Sequence, residues 1–286
     1  MSQQRTVKQI IAGRPVREGA GVHLHRIFGF QEAPRFDPFL LLDDFRSDTP
    51  DHYLKGFPWH PHRGIETITY VLTGDVEHGD SLGNKGIIGA GDVQWMTAGS
   101  GIIHQEMPKG DGQGRMWGFQ LWANLPAAEK MITPRYRDVT SDLIPAVTLS
   151  DGTVIRIIAG RAGGEAGPVN DVVIDPSYFD ISIPAAGRFT HPVTAGHTAF
   201  VYVISGRGDF AAGSSIDTGW CGNGELALYG DGDEIAVAAG ENGVRFLFIS
   251  GKPLDEPVAW KGPIVMNTQE ELDLAFDEYR KGIFIK

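Results

Sequence analysis

The sequence predicts an all-β chain of two related domains, each built of short antiparallel strands in a sandwich or barrel, with one short helix near its C-terminal end. Three observations point there: strand-like runs recur, a strand–turn–strand unit occurs twice, and helical periodicity is confined to one segment. The runs in the first half are Gly21–Phe28, Phe39–Asp43, Glu66–Leu72, Val93–Met96 and Gly118–Ala123. Those in the second half are Val154–Ala159, Tyr178–Ile183, Ala199–Ile204, Leu226–Tyr229, Ile235–Ala238 and Val244–Ser250. Glycine, aspartate and asparagine punctuate them, as expected where strands end in tight turns.

The repeat aligns Thr69-Tyr-Val-Leu-Thr-Gly74 with Val201-Tyr-Val-Ile-Ser-Gly206, each followed by a glycine–acid pair, Gly91-Asp92 and Gly224-Glu225. Two copies of one unit imply two related domains, expected at residues 1–133 and 143–286, with Thr133 to Leu143 as the linker. The helix is expected after Thr268, whose capping box is completed by Glu271. Leu272, Ala275, Phe276 and Tyr279 then share one face, and Gly282 ends the helix.

Composition narrows the function. A hydrophobic share of 42% with 21% charged residues is that of a soluble globular protein. A net charge of −11 argues against direct nucleic-acid binding, which needs a basic footprint. Cys221 is the only cysteine, so neither an intrachain disulfide nor a cysteine-built zinc site is available. Met1 to Pro15 lacks an apolar signal core, and no apolar run is long enough to span a membrane. The expected location is cytoplasmic.

Chemistry concentrates in two segments. His60 and His62 stand two residues apart, as do His104 and Glu106 about forty residues later. Residues two apart on a strand share a face. If the two segments are neighbouring strands, three imidazoles and a carboxylate converge in the interior. Such a group is costly to bury unless it is paired or binds a metal. Imidazoles with one carboxylate suit iron, nickel, copper, cobalt or zinc, and four protein ligands on an octahedral ion leave two positions open. Glu66, four residues after His62, is an alternative carboxylate. His23 and His25 lack a partner segment and are expected to be surface or packing residues. Phe57, Trp59 and Trp95 are expected mainly as core, and Arg63 as the partner of an acid.

His60-Pro-His62-Arg-Gly-Ile-Glu-Thr-Ile-Thr-Tyr70 and Gly99-Ser-Gly-Ile-Ile-His104-Gln-Glu106 closely resemble the hallmark segments of the pirin family. Asp37 to Phe45 and Trp117 to Pro126 are similar to pirin segments too. The resemblance implies a bicupin: two stacked antiparallel β-barrels of the jelly-roll type, with metal in the N-terminal one only. It implies His60, His62, His104 and Glu106 as the metal ligands, with Glu66 left out. The implied cofactor is one divalent metal ion, iron(II) first, with nickel, copper, cobalt, manganese and zinc also open. The resemblance further implies that the chain can act as a quercetin 2,3-dioxygenase, as bacterial pirins can, with a flavonol-like substrate, dioxygen, and Glu106 as the general base. Pirins are also redox-responsive partners of transcription regulators and metabolic enzymes, the non-enzymatic alternative. Laying the repeat over the second half puts Pro192, Thr194, Val237 and Ala239 at the four ligand positions, with His191 and His197 out of register and expected in surface or loop structure.

Overall fold

The computed structural model describes residues 3–212 and 219–286. Residues 1–2 and 213–218, which fall inside the two expected domains, lie outside the described residues. The chain opens with β1 (Val7–Ala12), β2 (Arg14–Glu18), β3 (Val22–Phe28), β4 (Phe39–Asp44), β5 (Phe57–His62) and β6 (Ile65–Thr73). It continues through β7 (Val76–Asp80), β8 (Lys85–Ile88), β9 (Val93–Thr97), β10 (Ile102–Pro108), β11 (Trp117–Asn124) and β12 (Arg135–Val139). The second half holds β13 (Ala146–Thr148), β14 (Val154–Ala159), β15 (Arg161–Ala162), β16 (Glu165–Ala166), β17 (Ser177–Ile183) and β18 (Arg188–Pro192). β19 (Thr198–Asp209), β20 (Trp220–Gly222), β21 (Glu225–Tyr229) and β22 (Glu234–Gly251) follow. β23 (Ala259–Lys261), β24 (Ile264–Met266) and α1 (Gln269–Arg280) end the chain.

Two compact units result, and each draws a terminal segment from the far half of the sequence. The first unit is Arg14–Ser141 with Leu254–Lys286; the second is Met1–Gly13 with Asp142–Pro253. The contiguous division at 1–133 and 143–286 therefore needs correction at both ends. β1 pairs with β21 in the second unit. The C-terminal segment packs in the first, where Val265 is buried with Ile65, Met96, Ala98 and Ile102. Lys130 fastens it there, its buried Nζ donating to Gly64 O, Asn124 Oδ1 and Val265 O. The expected linker is also corrected: β12 lies inside it, paired with β9. Its Arg-Tyr-Arg-Asp-Val sequence is charged because it is an edge strand, where exposed charges discourage further pairing.

The described residues of the first unit form two larger antiparallel sheets, a seven-stranded one in the order β12-β9-β6-β11-β4-β3-β2 and a four-stranded one in the order β5-β10-β7-β8, together with the two-stranded β23-β24. Both keep open edges, so the arrangement is a jelly-roll sandwich and not a closed hydrogen-bonded barrel. The helix forms as its cap predicts: Glu271 N donates to Thr268 Oγ1 at 3.2 Å and Thr268 N to Glu271 Oε2 at 3.0 Å. Leu272 and Ala275 are buried, but Tyr279 is 39% exposed, so the apolar stripe is narrower than expected. Arg63 finds its acid on this helix, with Nη1 2.6 Å from Glu278 Oε2.

The second unit is built on a sheet in the order β1-β21-β19-β22-β17-β14-β13, with β18 on β22 and β20 on β19, and carries a separate two-stranded β15-β16. β22 joins the two expected strands Ile235–Ala238 and Val244–Ser250 in one strand, with a bulge between Ala239 and Val244 where the register against β19 shifts. The repeat is visible as one hydrogen bond made twice: Gly91 N donates to Val71 O at 2.8 Å, and Gly224 N to Val203 O at 2.9 Å. Gly74 and Gly206 close the repeated turns at φ +80° and +74°, where a side chain would be strained.

Strand pairing revises the register of the second copy. His60 faces His104 and His62 faces Ile102. In the second unit Val237 faces Phe189, and Ile235 faces His191. His191 thus occupies the place of His62, and Phe189 that of His60. The earlier alignment slipped because three more residues separate His191 from Val201 than His62 from Thr69. His191 is not a surface residue. It is 8% exposed, packed against Phe179, Phe189 and Phe248, and His197 is buried to the same extent.

Burial among those rings pushes the His191 imidazole down to about 4. Below its ordinary value near 6.5 the unfolded chain takes up a proton that the folded chain refuses, so stability falls as pH drops from about 6.5 to about 4. Between pH 7 and pH 5 this group removes about 2 kcal/mol. Urea unfolding of wild type and His191→Leu at both pH values measures it: the variant loses correspondingly less stability on acidification.

Candidate metal centre

β5 and β10 bring the two sequence segments side by side. His104 lies directly across from His60, and a bulge after it leaves Glu106 opposite Phe57. Along β10 burial alternates, with Ile102, His104, Glu106 and Pro108 buried and the residues between them half-buried. His104 and Glu106 therefore share the inner face. Pro61 is tolerated between the two histidines because β5 is the edge of its sheet. Gly64, at φ +76°, turns the chain toward β6; a Cβ there would lie 2.0 Å from Val265 O.

The ligand atoms of His60, His62 and His104 lie within 4.8 Å of one another. His60 Nδ1 is 2.9 Å from Pro58 O, and His62 Nδ1 is 3.0 Å from Pro263 O. A carbonyl only accepts, so both Nδ1 atoms carry the proton and both Nε2 atoms present lone pairs. Those Nε2 atoms face each other at 3.0 Å. Two lone pairs at that distance repel unless a cation stands between them. A shared proton is disfavoured, because burial lowers the pKa of His60 and, with the neighbouring imidazole adding to it, holds His62 well below the usual range. Two nitrogens each about 2.1 Å from one ion and at right angles to it are about 3.0 Å apart. His104 is fully buried, and neither of its ring nitrogens has a hydrogen-bond partner among the described residues. Leaving a buried polar atom unpartnered costs about 1–3 kcal/mol. The donor set fits a divalent metal.

Glu106 is buried beside this cluster without being part of it. Its Oε1 accepts from Thr69 Oγ1 at 2.8 Å, and Thr69 Oγ1 is also 2.6 Å from the Gln120 side chain. Burial pushes the Glu106 carboxyl up to about 7, against the lowering effect of the Thr69 hydrogen bond. Glu66 is engaged elsewhere, accepting from Trp95 Nε1 at 3.0 Å and Thr97 Oγ1 at 2.6 Å. Parity explains this: Thr69 lines the cavity, and Glu66, an odd number of residues away on the same strand, faces the other way.

A cavity of about 650 Å³ opens beside the cluster, lined by His60, His62, Thr69, Glu106 and Gln120 and walled by Leu24, Phe30, Leu41, Phe57, Val76, Trp122 and Trp260. Trp122 stands edge-on to His62, with ring centroids 5.1 Å apart. Arg26 and Asp43 form a polar patch in the same wall, with Arg26 Nε 2.9 Å from Asp43 Oδ1. Of the expected core aromatics, Trp95 is buried, Phe57 lines the cavity and Trp59 is 52% exposed. His23 stacks on His52 at 4.1 Å and His25 is exposed, both away from the cluster. Sequence reasoning missed His78, Trp122 and Trp260. The first is a lone histidine, and the others come near the cluster only through tertiary packing.

A jelly-roll unit presenting paired histidines, together with a second unit that repeats its turns, defines a two-domain cupin. The family model Pirin matches residues 21–123, and the model of the Pirin C-terminal cupin domain matches residues 178–285. A pirin-like protein of Caulobacter vibrioides is 45% identical over 98% of this chain and 99% of its own. The crystal structure of quercetin 2,3-dioxygenase from Acinetobacter baumannii superposes with a TM-score of 0.88 at 31% identity, covering 99% of both chains. The bacterial pirin YhhW of Escherichia coli, solved in complex with nickel(II), shares the fold with a TM-score of 0.64 at 22% identity, over 86% of this chain and 98% of that one. The chain belongs to the pirin family. No described helix is long and apolar enough to cross a membrane.

Metal binding to the folded chain stabilises it by mass action, by about 2.7 kcal/mol at a free concentration one hundred times the dissociation constant. Thermal unfolding with and without added divalent metal reads this as a rise in Tm. In His62→Ala and His104→Ala the rise disappears, and elemental analysis finds less than one ion per chain.

Proposed function

We propose that this protein is a metal-dependent dioxygenase that opens flavonol-type aromatic substrates such as quercetin. The ion, iron(II) by preference, would be held by His60, His62 and His104, with Glu106, buried beside them, completing the set as the fourth ligand. The observation that carries this reading is the pair of imidazole lone pairs facing each other at 3.0 Å on the wall of an aromatic-lined cavity. The likeness to the Acinetobacter baumannii quercetin 2,3-dioxygenase supports it.

When bound, the metal supplies Lewis acidity toward the substrate's 3-hydroxyl and 4-carbonyl oxygens and electron exchange with dioxygen. The chain's own residues do the rest. Trp122, Trp260, Leu41 and Phe57 offer flat apolar walls that orient a planar ring system and exclude water. Glu106 accepts the proton of the 3-hydroxyl, and Thr69 steadies its carboxylate through the hydrogen bond to Oε1. Both atoms of dioxygen enter the opened product, and one ring carbon leaves as carbon monoxide.

Oxygen uptake with quercetin tests the proposal on iron(II)-loaded protein. Wild type consumes oxygen, His104→Ala falls to background, and Glu106→Gln slows by roughly 10²- to 10⁴-fold, the usual worth of a general base. Uptake by wild type no faster than by His104→Ala sinks the proposal.

A further inference from the structure

His60 and His62 each anchor their outer ring nitrogen on a backbone carbonyl, Pro58 O and Pro263 O. His104 has no such anchor. Metal-ligating histidines almost always donate their second N–H to an acceptor that fixes the tautomer and ring orientation. The inner face of the four-stranded sheet suggests what serves His104. β7 runs beside β10, with Asp80 directly across from His104 and His78 directly across from Glu106. The side chains of His78 and Asp80 have no exposed surface. His78 lies diagonal to His104, with ring centroids 5.4 Å apart, and stacks on Tyr136 at 4.8 Å. Neither ring nitrogen of His78 has a hydrogen-bond partner among the described residues, and its Nε2 is 3.6 Å from Asp80 Oδ2.

Two buried imidazoles side by side, both unpartnered, are costly unless they serve each other. Asp80 is itself fixed, its Oδ1 accepting from Leu82 N and Asn84 N and its Oδ2 from Asn84 Nδ2. It keeps acceptor capacity toward His78. The terminal torsion of histidine is broad, so a small turn of the His78 ring closes the 3.6 Å gap. We propose that His78 is a positioning residue of the metal centre: it accepts the outer N–H of His104 and donates its own N–H to Asp80. The chain from carboxylate through two imidazoles holds His104 in one tautomer and raises its basicity as a ligand. This role rests on the metal-centre reading above.

Cobalt(II) serves as the probe, read by its visible ligand-field spectrum and by chelator competition, without any assay of activity. His78→Phe keeps the stacking on Tyr136 and removes both nitrogens, while His78→Gln keeps a donor and an acceptor. The expected result is a 10- to 100-fold weaker cobalt affinity with shifted bands in His78→Phe. His78→Gln recovers part of both, and the metal-free variants melt no lower than wild type. Wild-type affinity and spectrum in His78→Phe overturn the proposal, as does equal weakening in both variants accompanied by a lower metal-free Tm. Complete loss of binding in both variants would make His78 a ligand and also overturn it. If wild type itself binds no cobalt, the metal-centre reading falls with it.

Discussion

The first unit is organised around two lone pairs that cannot tolerate each other alone. Carbonyl oxygens of Pro58 and Pro263 accept hydrogen bonds from Nδ1 of His60 and His62, which leaves Nε2 of one ring aimed at Nε2 of the other. Only a cation relieves that arrangement, because burial disfavours protonating either ring. The rest follows from holding it: a proline on an edge strand, a glycine turn out of the sheet, and a C-terminal segment that delivers Pro263 O. A site assembled in advance in this way loses little entropy when the ion arrives.

The second unit shows what the same framework becomes without the cluster. The repeated turns and their glycine hydrogen bonds persist, but Phe189 and Val237 stand where His60 and His104 stand in the first unit. The space is filled by Phe179, Phe189, Phe246 and Phe248 in a continuous apolar core. His191 remains at the place of His62, alone among aromatic rings and kept neutral by them. A single imidazole there gives no polar convergence, only a buried base.

Much of this was legible in the sequence. The strands of the sheet centres announced themselves because they are buried on both faces and rich in apolar and β-branched residues, as Glu66–Leu72 and Ala199–Ile204 are. The His60, His62 and His104 convergence was legible because spacing by two is a statement about faces. Edge strands were not, since Arg135–Val139 has the composition of a loop. The exchange of terminal segments was hidden as well, because β1 and the segment around Val265 owe their places to partners far away in the chain. The register of β18 was missed because a three-residue difference in loop length slides one histidine past another.

The anchor of His62 has a consequence for the order in which the protein is made. Pro263 lies downstream of the whole second unit, so a ribosome must synthesise both halves before the first can fix that imidazole. The nascent first half, emerging alone, would hold a free-swinging ring where the finished protein holds a fixed one. An imidazole fixed in this way therefore waits for Pro263 to be made, and a fragment ending before Pro263 lacks the anchor.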